Sequence, residues 1–240
     1  MVYSPEGVAK TMATADFRIS KKLRTPRSAA IAGLLFAVLQ TVSMVLFRLS
    51  VAKNPADAGI WLAQGGRRTS AVIAINLIPF AGIAFLWFIG VIRDRMGERE
   101  DKLFATVFLG SGLLFVAMLF AAAAVAIGLI AMFKAAPTKA AESEVWTLGY
   151  HMTFALLNTF ALRMAAVFII SISTIALRTS FISRWLAFVG LAIALVLLFV
   201  SDIVPWINLL MPLWVFLVSV DVLIRTRREG RDPTDGISTE

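Results

Sequence analysis

Long apolar runs separated by short charged segments dominate the pattern of this 240-residue chain. A window of roughly 19 residues, the length that detects membrane-spanning helices, finds six such runs. They cover residues 28–48, 69–92, 103–133, 151–177, 185–201 and 206–224. Because a lipid core offers the backbone no hydrogen-bond partners, apolar runs of this length are typical of transmembrane helices. The pattern therefore predicts an all-α integral membrane bundle of six transmembrane helices.

The fifth run is the weakest of the six. Only residues 201–205, Ser-Asp-Ile-Val-Pro, separate it from the sixth, so the two runs must form a tight helical hairpin. A five-span alternative would place the C-terminus on the other side of the membrane. With six spans and both termini in the cytoplasm, most of the 23 lysines and arginines lie on the inner side. The positive-inside rule therefore favours six spans in this orientation.

Composition and charge support a membrane location and exclude some partners. The chain is 59% hydrophobic and carries a formal net charge of +8. Its basic residues flank the spans instead of clustering on a soluble domain. We therefore expect these charges to orient the spans in the membrane and to contact anionic lipids, and we expect no binding of nucleic acid. We expect a multi-pass protein of the plasma (inner) membrane, with a basic cytoplasmic arm at 1–27, the bundle at 28–224 and a flexible cytoplasmic tail at 225–240.

Two features of the central part of the chain predict contact surfaces. The inner loop before the third span contains a candidate docking site for a cytoplasmic partner, formed by Arg93, Arg95, Arg99 and Lys102. The third helix itself carries small residues at spacings that place them on one face, namely Gly110, Ala117, Ala121, Ala124 and Gly128. Such stripes let helix backbones approach closely in lipid. The favoured expectation is packing within this chain, and the alternative is packing against another subunit.

Groups that could perform catalysis are scarce. The chain has no cysteine and a single histidine, His151, so it completes neither a metal site nor a nucleophilic triad. An intramembrane hydrolase that uses Ser111 is a third class of function, and we expect no activity of that kind. Asp221 lies four residues before Arg225, a spacing typical of an ion pair on one helix face. We therefore predict no catalytic residue, no metal site and no cofactor.

Arg163 is the most unusual residue, because it lies near the middle of the fourth apolar run with no carboxylate close in sequence. An arginine at the bilayer centre costs roughly 2.5–3.5 kcal/mol on insertion scales. The neutral side chains that are candidates to surround it within the chain are Asn158, Thr159, Asn76 and Gln40. Three interpretations remain open: a structural polar cluster between helices, a pair with an acidic group of a partner subunit, and a contact with the anionic head of a lipid.

A family resemblance is carried by the stretch EREDKLFATVFLGSGLLFVAMLFAAAAV, residues 98–125. This stretch resembles actinobacterial multi-span membrane proteins. The whole chain is similar, in size and span number, to the accessory membrane subunit (lipid uptake coordinator type) of mycobacterial MCE lipid importers. The resemblance implies a non-enzymatic subunit beside the permease, the ATPase and the substrate-binding proteins of a lipid importer. It assigns no site residues.

Two functions from different classes follow from these observations. The first is a non-catalytic accessory or regulatory subunit of a larger membrane transport complex, which the resemblance makes an ATP-driven MCE-type lipid importer. The second is a self-contained small transporter or channel. That alternative needs a polar path lined by Gln40, Asn76, Asn158 and Arg163 on facing helices. Transport of lipid or ions by the purified protein alone in vesicles would distinguish the two.

Overall fold

The computed structural model describes residues 26–51, 64–96, 102–135, 143–179, 182–200 and 206–229. Six helices make up this part of the chain. They are α1 (Pro26–Ser50), α2 (Gly65–Met96), α3 (Lys102–Ala135), α4 (three continuous segments, Glu144–Phe154, Ala155–Phe160 and Ala161–Thr179), α5 (Arg184–Phe199) and α6 (a 3-10 turn, Ile207–Leu209, followed by Leu210–Glu229). The prediction of an all-α bundle is confirmed.

Five of the six helices, all except α5, are long and apolar enough to cross a membrane. The shorter α5 has 16 residues, or about 24 Å at the usual rise per residue. Its first residues lie beside Asp221 of α6 and its middle residue Gly190 packs against Trp214 of α6. The helix α5 therefore runs antiparallel to α6 over its whole length, as the predicted hairpin requires.

The helices form a closed ring in chain order, in which each helix packs on the next and α6 returns to α1. Phenylalanine rings fill the centre. The ring centroids of Phe36 and Phe85 are 4.6 Å apart, those of Phe85 and Phe115 5.3 Å, and those of Phe85 and Phe168 5.0 Å. These four residues come from α1, α2, α3 and α4, so one aromatic cluster joins four helices.

Several helices extend beyond the predicted apolar runs. The helix α6 continues to Glu229, into the segment predicted as a flexible tail from residue 225. The helix α4 begins at Glu144, seven residues before its predicted run. The helix α2 begins at Gly65, four residues before the predicted run. The 34 residues of α3 extend for about 51 Å, so this helix is longer than the hydrocarbon core of a bilayer, about 30 Å. The basic arm lies outside the described residues except for its last two positions.

A polar network fastens α5 to α6 at the end where α6 stops. Arg225 Nε lies 3.0 Å from Asp221 Oδ2, so the expected same-face ion pair is present. The same carboxylate oxygen accepts the backbone N–H of Ser183 at 3.0 Å, and the Ser183 hydroxyl bonds to both Asp221 and Arg225. Because Ser183 directly precedes α5, the acid also stands at the positive end of the α5 dipole.

Candidate functional site

Three of the four polar residues predicted around Arg163, namely Gln40, Asn76 and Asn158, do not come together there; the fourth, Thr159, is half-buried on α4. Gln40 is buried inside the bundle, and Asn158 is half-buried and hydrogen-bonded towards α1 and α6. Asn76 and Arg163 are exposed on the outside of the bundle. Part of the reason is helix geometry, since Asn158 and Arg163 are five residues apart, more than one turn, and so point to different sides of α4. The structural polar cluster that we expected around Arg163 is therefore absent from the described part of the chain.

Arg163 lies on the outward side of α4, and no hydrogen bond or ion pair reaches it from any described residue. Side chains on a helix lean towards its N-terminus, which for α4 is the predicted outer side of the membrane. A methyl group added at Gly112 would press on Phe168, and one added at Gly149 would press on Leu129. These contacts define the antiparallel register of α3 and α4, which places Arg163 level with Ala117.

The other two predicted residues are Asn76, which bonds within its own helix, and Gln40, which is buried. Asn76 donates from Nδ2 to the carbonyl oxygen of Val72 at 2.8 Å, a bond within its own helix. Gln40 is only 2% exposed, and its Oε1 has no hydrogen-bond partner among the described residues. Neither side chain forms a hydrogen bond with the other or with Arg163 among the described residues, so the predicted path is not continuous.

A different arginine, Arg48, belongs to a polar cluster between helices. Arg48, at the end of α1, donates from Nη2 to Asn158 Oδ1 at 3.2 Å. Asn208, in the first turn of α6, donates from Nδ2 to the same oxygen at 2.7 Å. One carboxamide oxygen therefore joins α1, α4 and α6. Sequence reasoning missed this cluster because Arg48 ends its apolar run and is counted there as an ordinary flanking charge.

Asn158 lies within the π-helical segment of α4, Ala155–Phe160. The backbone N–H of Ala161 bonds to the carbonyl of Leu156, five residues earlier, instead of to the carbonyl four residues earlier. Such widened turns are rare and frequently accompany functional sites. In this protein the widened turn presents the asparagine that accepts both hydrogen bonds, so the backbone irregularity and the polar cluster coincide.

The small-residue stripe of α3 faces outward. Nothing lies within 4 Å of a methyl group placed at Gly110 or Gly128, and Ala117 and Ala124 are exposed. The expectation that this stripe packs within the chain is wrong for the exposed residues Ala117, Ala124 and Gly128, whereas Gly110 and Ala121 are half-buried. A different glycine, Gly112, makes the close intramolecular approach, because it touches α2 and α4. The stripe and Arg163 thus lie on adjacent helices at one side of the ring, which we call the α3–α4 face.

The predicted cytoplasmic docking residues are described only in part. Arg93 is exposed near the end of α2. Arg95 and Lys102 belong to α2 and α3, but their side chains lie outside the described set, as does the whole of Arg99. The docking surface therefore stays a prediction.

Two residues considered for catalysis have local contacts. The buried Ser111 hydroxyl donates to the carbonyl oxygens of Val107 at 2.7 Å and Phe108 at 3.2 Å, both in its own helix. His151 is exposed and its ring meets that of Tyr150 edge to face, with centroids 5.5 Å apart. Both arrangements are common structural ones, and neither pairs a nucleophile with a base.

The fold and these surfaces define the class of the molecule, which is a multi-pass α-helical membrane protein. Its polar cluster is internal, and its outer surface carries an arginine and a stripe of small residues. No family model, no curated protein and no solved structure matches the chain.

Proposed function

We propose that this chain is a non-catalytic accessory subunit that packs through its α3–α4 face against another membrane protein of a transport complex. The observation that carries the proposal is Arg163, a charged side chain exposed on the apolar outside of a spanning helix. An exposed arginine at membrane depth is expensive. A carboxylate on a neighbouring transmembrane helix would offset that cost with a charge-assisted hydrogen bond.

The outward stripe on α3 supports the same conclusion. Association of helices in lipid depends on close packing, and glycine and alanine allow the backbones to approach. Gly128 and Gly110 leave open space beside α3. A partner helix seated there would lie next to the helix that carries Arg163, at the level of Ala117. Shape and charge on this side of the ring are therefore complementary to a helix with an acidic residue.

The alternative, a self-contained transporter or channel, has less support. It needs Gln40, Asn76, Asn158 and Arg163 to line one route, and two of these point away from the other two. The centre of the ring is occupied by phenylalanine side chains. A chain of this design braces or regulates a neighbour more readily than it opens a polar path.

The identity of the complex rests on two resemblances, that of residues 98–125 to actinobacterial membrane proteins and that of the whole chain, in size and span number, to the accessory subunit of MCE lipid importers. On that basis we propose the plasma (inner) membrane as the location, and an ATP-driven MCE-type lipid importer as the complex. The partners are then its permease, its ATPase and its substrate-binding proteins, together with anionic lipids. No cofactor and no catalytic residue belong to this role.

The test is a gentle detergent purification of the tagged protein from its native membrane, followed by mass spectrometry of the proteins that accompany it in fixed proportion. Co-purification of a permease, an ATPase and substrate-binding proteins supports the proposal. Arg163→Gln and Gly128→Leu should then lose most of these partners. The matched control is Arg67→Gln, which removes an exposed arginine at the start of α2. Recovery of a lone monomer or a homo-oligomer overturns the proposal.

A further inference from the structure

A groove of about 430 Å³ opens on the side of the ring opposite the α3–α4 face, between α1 and α6. Its volume lies in the range of small-molecule sites, roughly 300–1,000 Å³. Its walls are almost wholly apolar, and they are formed by Ala37, Val38, Thr41, Val42, Leu209, Leu210, Pro212, Leu213 and Phe216. The rim residues Val38, Val42, Leu213 and Phe216 are exposed, so the groove is open to the hydrocarbon of a surrounding membrane.

Arg48 lies on α1 beyond the last groove residue of that helix, Val42. Arg48 comes eleven residues, about three turns, after Ala37 and seven residues, about two turns, after Thr41. The three side chains therefore share one face of α1. Side chains of a helix lean towards its N-terminus, and from Arg48 that direction leads to the groove. The guanidinium has five donors, and Asn158 accepts from one nitrogen. No described carboxylate lies within ion-pair distance of Arg48.

We propose that this groove binds one anionic phospholipid, with an acyl chain between α1 and α6 and the phosphate on the guanidinium of Arg48. This inference goes beyond the accessory role, because it concerns the other side of the ring. An apolar slot that ends at a cation without a described acid is complementary to a molecule with an apolar tail and an anionic head. Charge-assisted bonds from arginine to phosphate are among the strongest hydrogen bonds in proteins.

The headgroup has a second polar contact available. Asn208 directly precedes the groove residue Leu209, and its Oδ1 is buried without a hydrogen-bond partner among the described residues. That oxygen accepts hydrogen bonds only, so it suits a hydroxyl of the headgroup, such as those of glycerol. The ligand chemistry is therefore a phospholipid with an anionic phosphate and a hydroxylated head.

A peptide helix fits the groove less well than an acyl chain. A helix with its side chains is about 10–12 Å wide, whereas the slot is confined between two directly packed helices. One extended hydrocarbon chain needs no such width. The test must therefore also detect a second copy of this protein or a partner helix bound in the groove. Either occupant would contradict the proposal.

The experiment is native mass spectrometry of the detergent-purified protein, titrated with phosphatidylglycerol and, separately, with phosphatidylcholine of the same acyl chains. The wild-type protein should bind one phosphatidylglycerol about tenfold more tightly than phosphatidylcholine. Both lipids carry a phosphate, but the choline cation offsets its charge beside Arg48, whereas phosphatidylglycerol keeps a net negative charge and offers glycerol hydroxyls. Arg48→Gln should abolish this preference, whereas Arg48→Lys should keep most of it. Thr41→Phe, which fills the groove and leaves Arg48 in place, should weaken the binding of both lipids.

The control is Arg67→Gln, which removes an exposed charge elsewhere and should leave the preference unchanged. Equal binding of the two lipids by the wild-type protein would overturn the proposal, as would a preference that survives Arg48→Gln. Complete displacement of the lipid by inorganic phosphate, or a bound second protein chain in place of lipid, would also overturn it. None of these variants touches Arg163 or the α3 stripe, so a negative result leaves the proposed accessory role standing.

Discussion

Arg48 and Arg163 are the same residue type on apolar helices of one bundle, yet their surroundings differ. Arg48 is half-buried at the end of α1 and donates to Asn158, which Asn208 also contacts. Arg163 is exposed on α4 and has no contact with any described polar group. Arg48 thus has neutral amide partners within the chain, whereas Arg163 has none among the described residues, and our proposal assigns its partner to another membrane protein.

The glycines of α3 and α5 show the same division. A side chain added at Gly112 would collide with Ile89, and one at Gly190 with Ser173 and Trp214. At Gly110 and Gly128 an added side chain would meet nothing. The inward glycines are needed for the fold of this chain, and the outward ones are free to serve an interface. Both comparisons predict that substitutions at residues facing into the ring alter the stability of this chain. Substitutions at residues facing outward should alter its assembly with other proteins.

The largest effect on stability is expected for Asn158→Leu. This change leaves the donors of Arg48 and Asn208 without their shared acceptor, and each unsatisfied buried group costs roughly 1–3 kcal/mol. We expect a loss of about 3 kcal/mol in the free energy of unfolding, measured by denaturant titration in detergent micelles. Phe160→Leu, at an exposed position in the same widened turn, is the control. A loss no larger than that of the control would show that the cluster does not stabilise the bundle.

The next effect is expected for Gly190→Leu. The added side chain would press on Ser173 of α4 and Trp214 of α6, and overpacking of this kind typically costs about 1–3 kcal/mol. The matched variant Gly128→Leu meets no neighbour at Cβ and gains helix propensity, so it should not lower the unfolding free energy of the isolated protein. If the two variants lost equal stability, the inward and outward sides would not differ as described.

A third arginine gives a smaller effect. Arg225 has an acidic partner, Asp221, and is partly exposed, so solvent screens the pair. Asp221→Asn also weakens the bond to the backbone N–H of Ser183 at the start of α5. We expect a loss of about 1 kcal/mol, reduced at high salt because the charge interaction is screened. Thermal unfolding in detergent at low and high ionic strength measures this loss of stability. If Asp221→Asn lost no stability at either ionic strength, the network would not stabilise the bundle.

The smallest effect on the isolated protein is expected for Arg163→Gln. No described residue bonds to Arg163, so its removal should change the unfolding free energy by less than about 0.5 kcal/mol. The measurement is the same denaturant titration used for Asn158→Leu. A loss comparable to that of Asn158→Leu would mean that Arg163 has an important role within the chain, contrary to the comparison.

The number of helices was predictable from sequence because a run of apolar residues is a local signal. The 34-residue α3 and the pair formed by Asp221 and Arg225 follow from length and from a spacing of four. The direction in which each helix faces was not predictable. In lipid both faces of a helix are apolar, so hydrophobicity does not separate the outward Ala117 from the buried Ala122 and Ala126 one to three turns away.

The polar cluster was missed for a related reason. Arg48, Asn158 and Asn208 are separated by 110 and 50 residues along the chain. Their meeting depends on how three helices are arranged in the ring, which no short pattern encodes. Arg163 was recognised because an arginine within an apolar run is itself a local signal, but its orientation again depended on tertiary structure.

The most direct test of the account places a photo-crosslinking amino acid at Ala117, on the α3–α4 face, and at Leu35, on the opposite side of the ring. Both positions are exposed, and irradiation is carried out in the native membrane. We predict that position 117 crosslinks to another membrane protein and that this crosslink is lost when Arg163→Gln is added. Position 35 should give no such crosslink. Lipid adducts alone at both positions would contradict it.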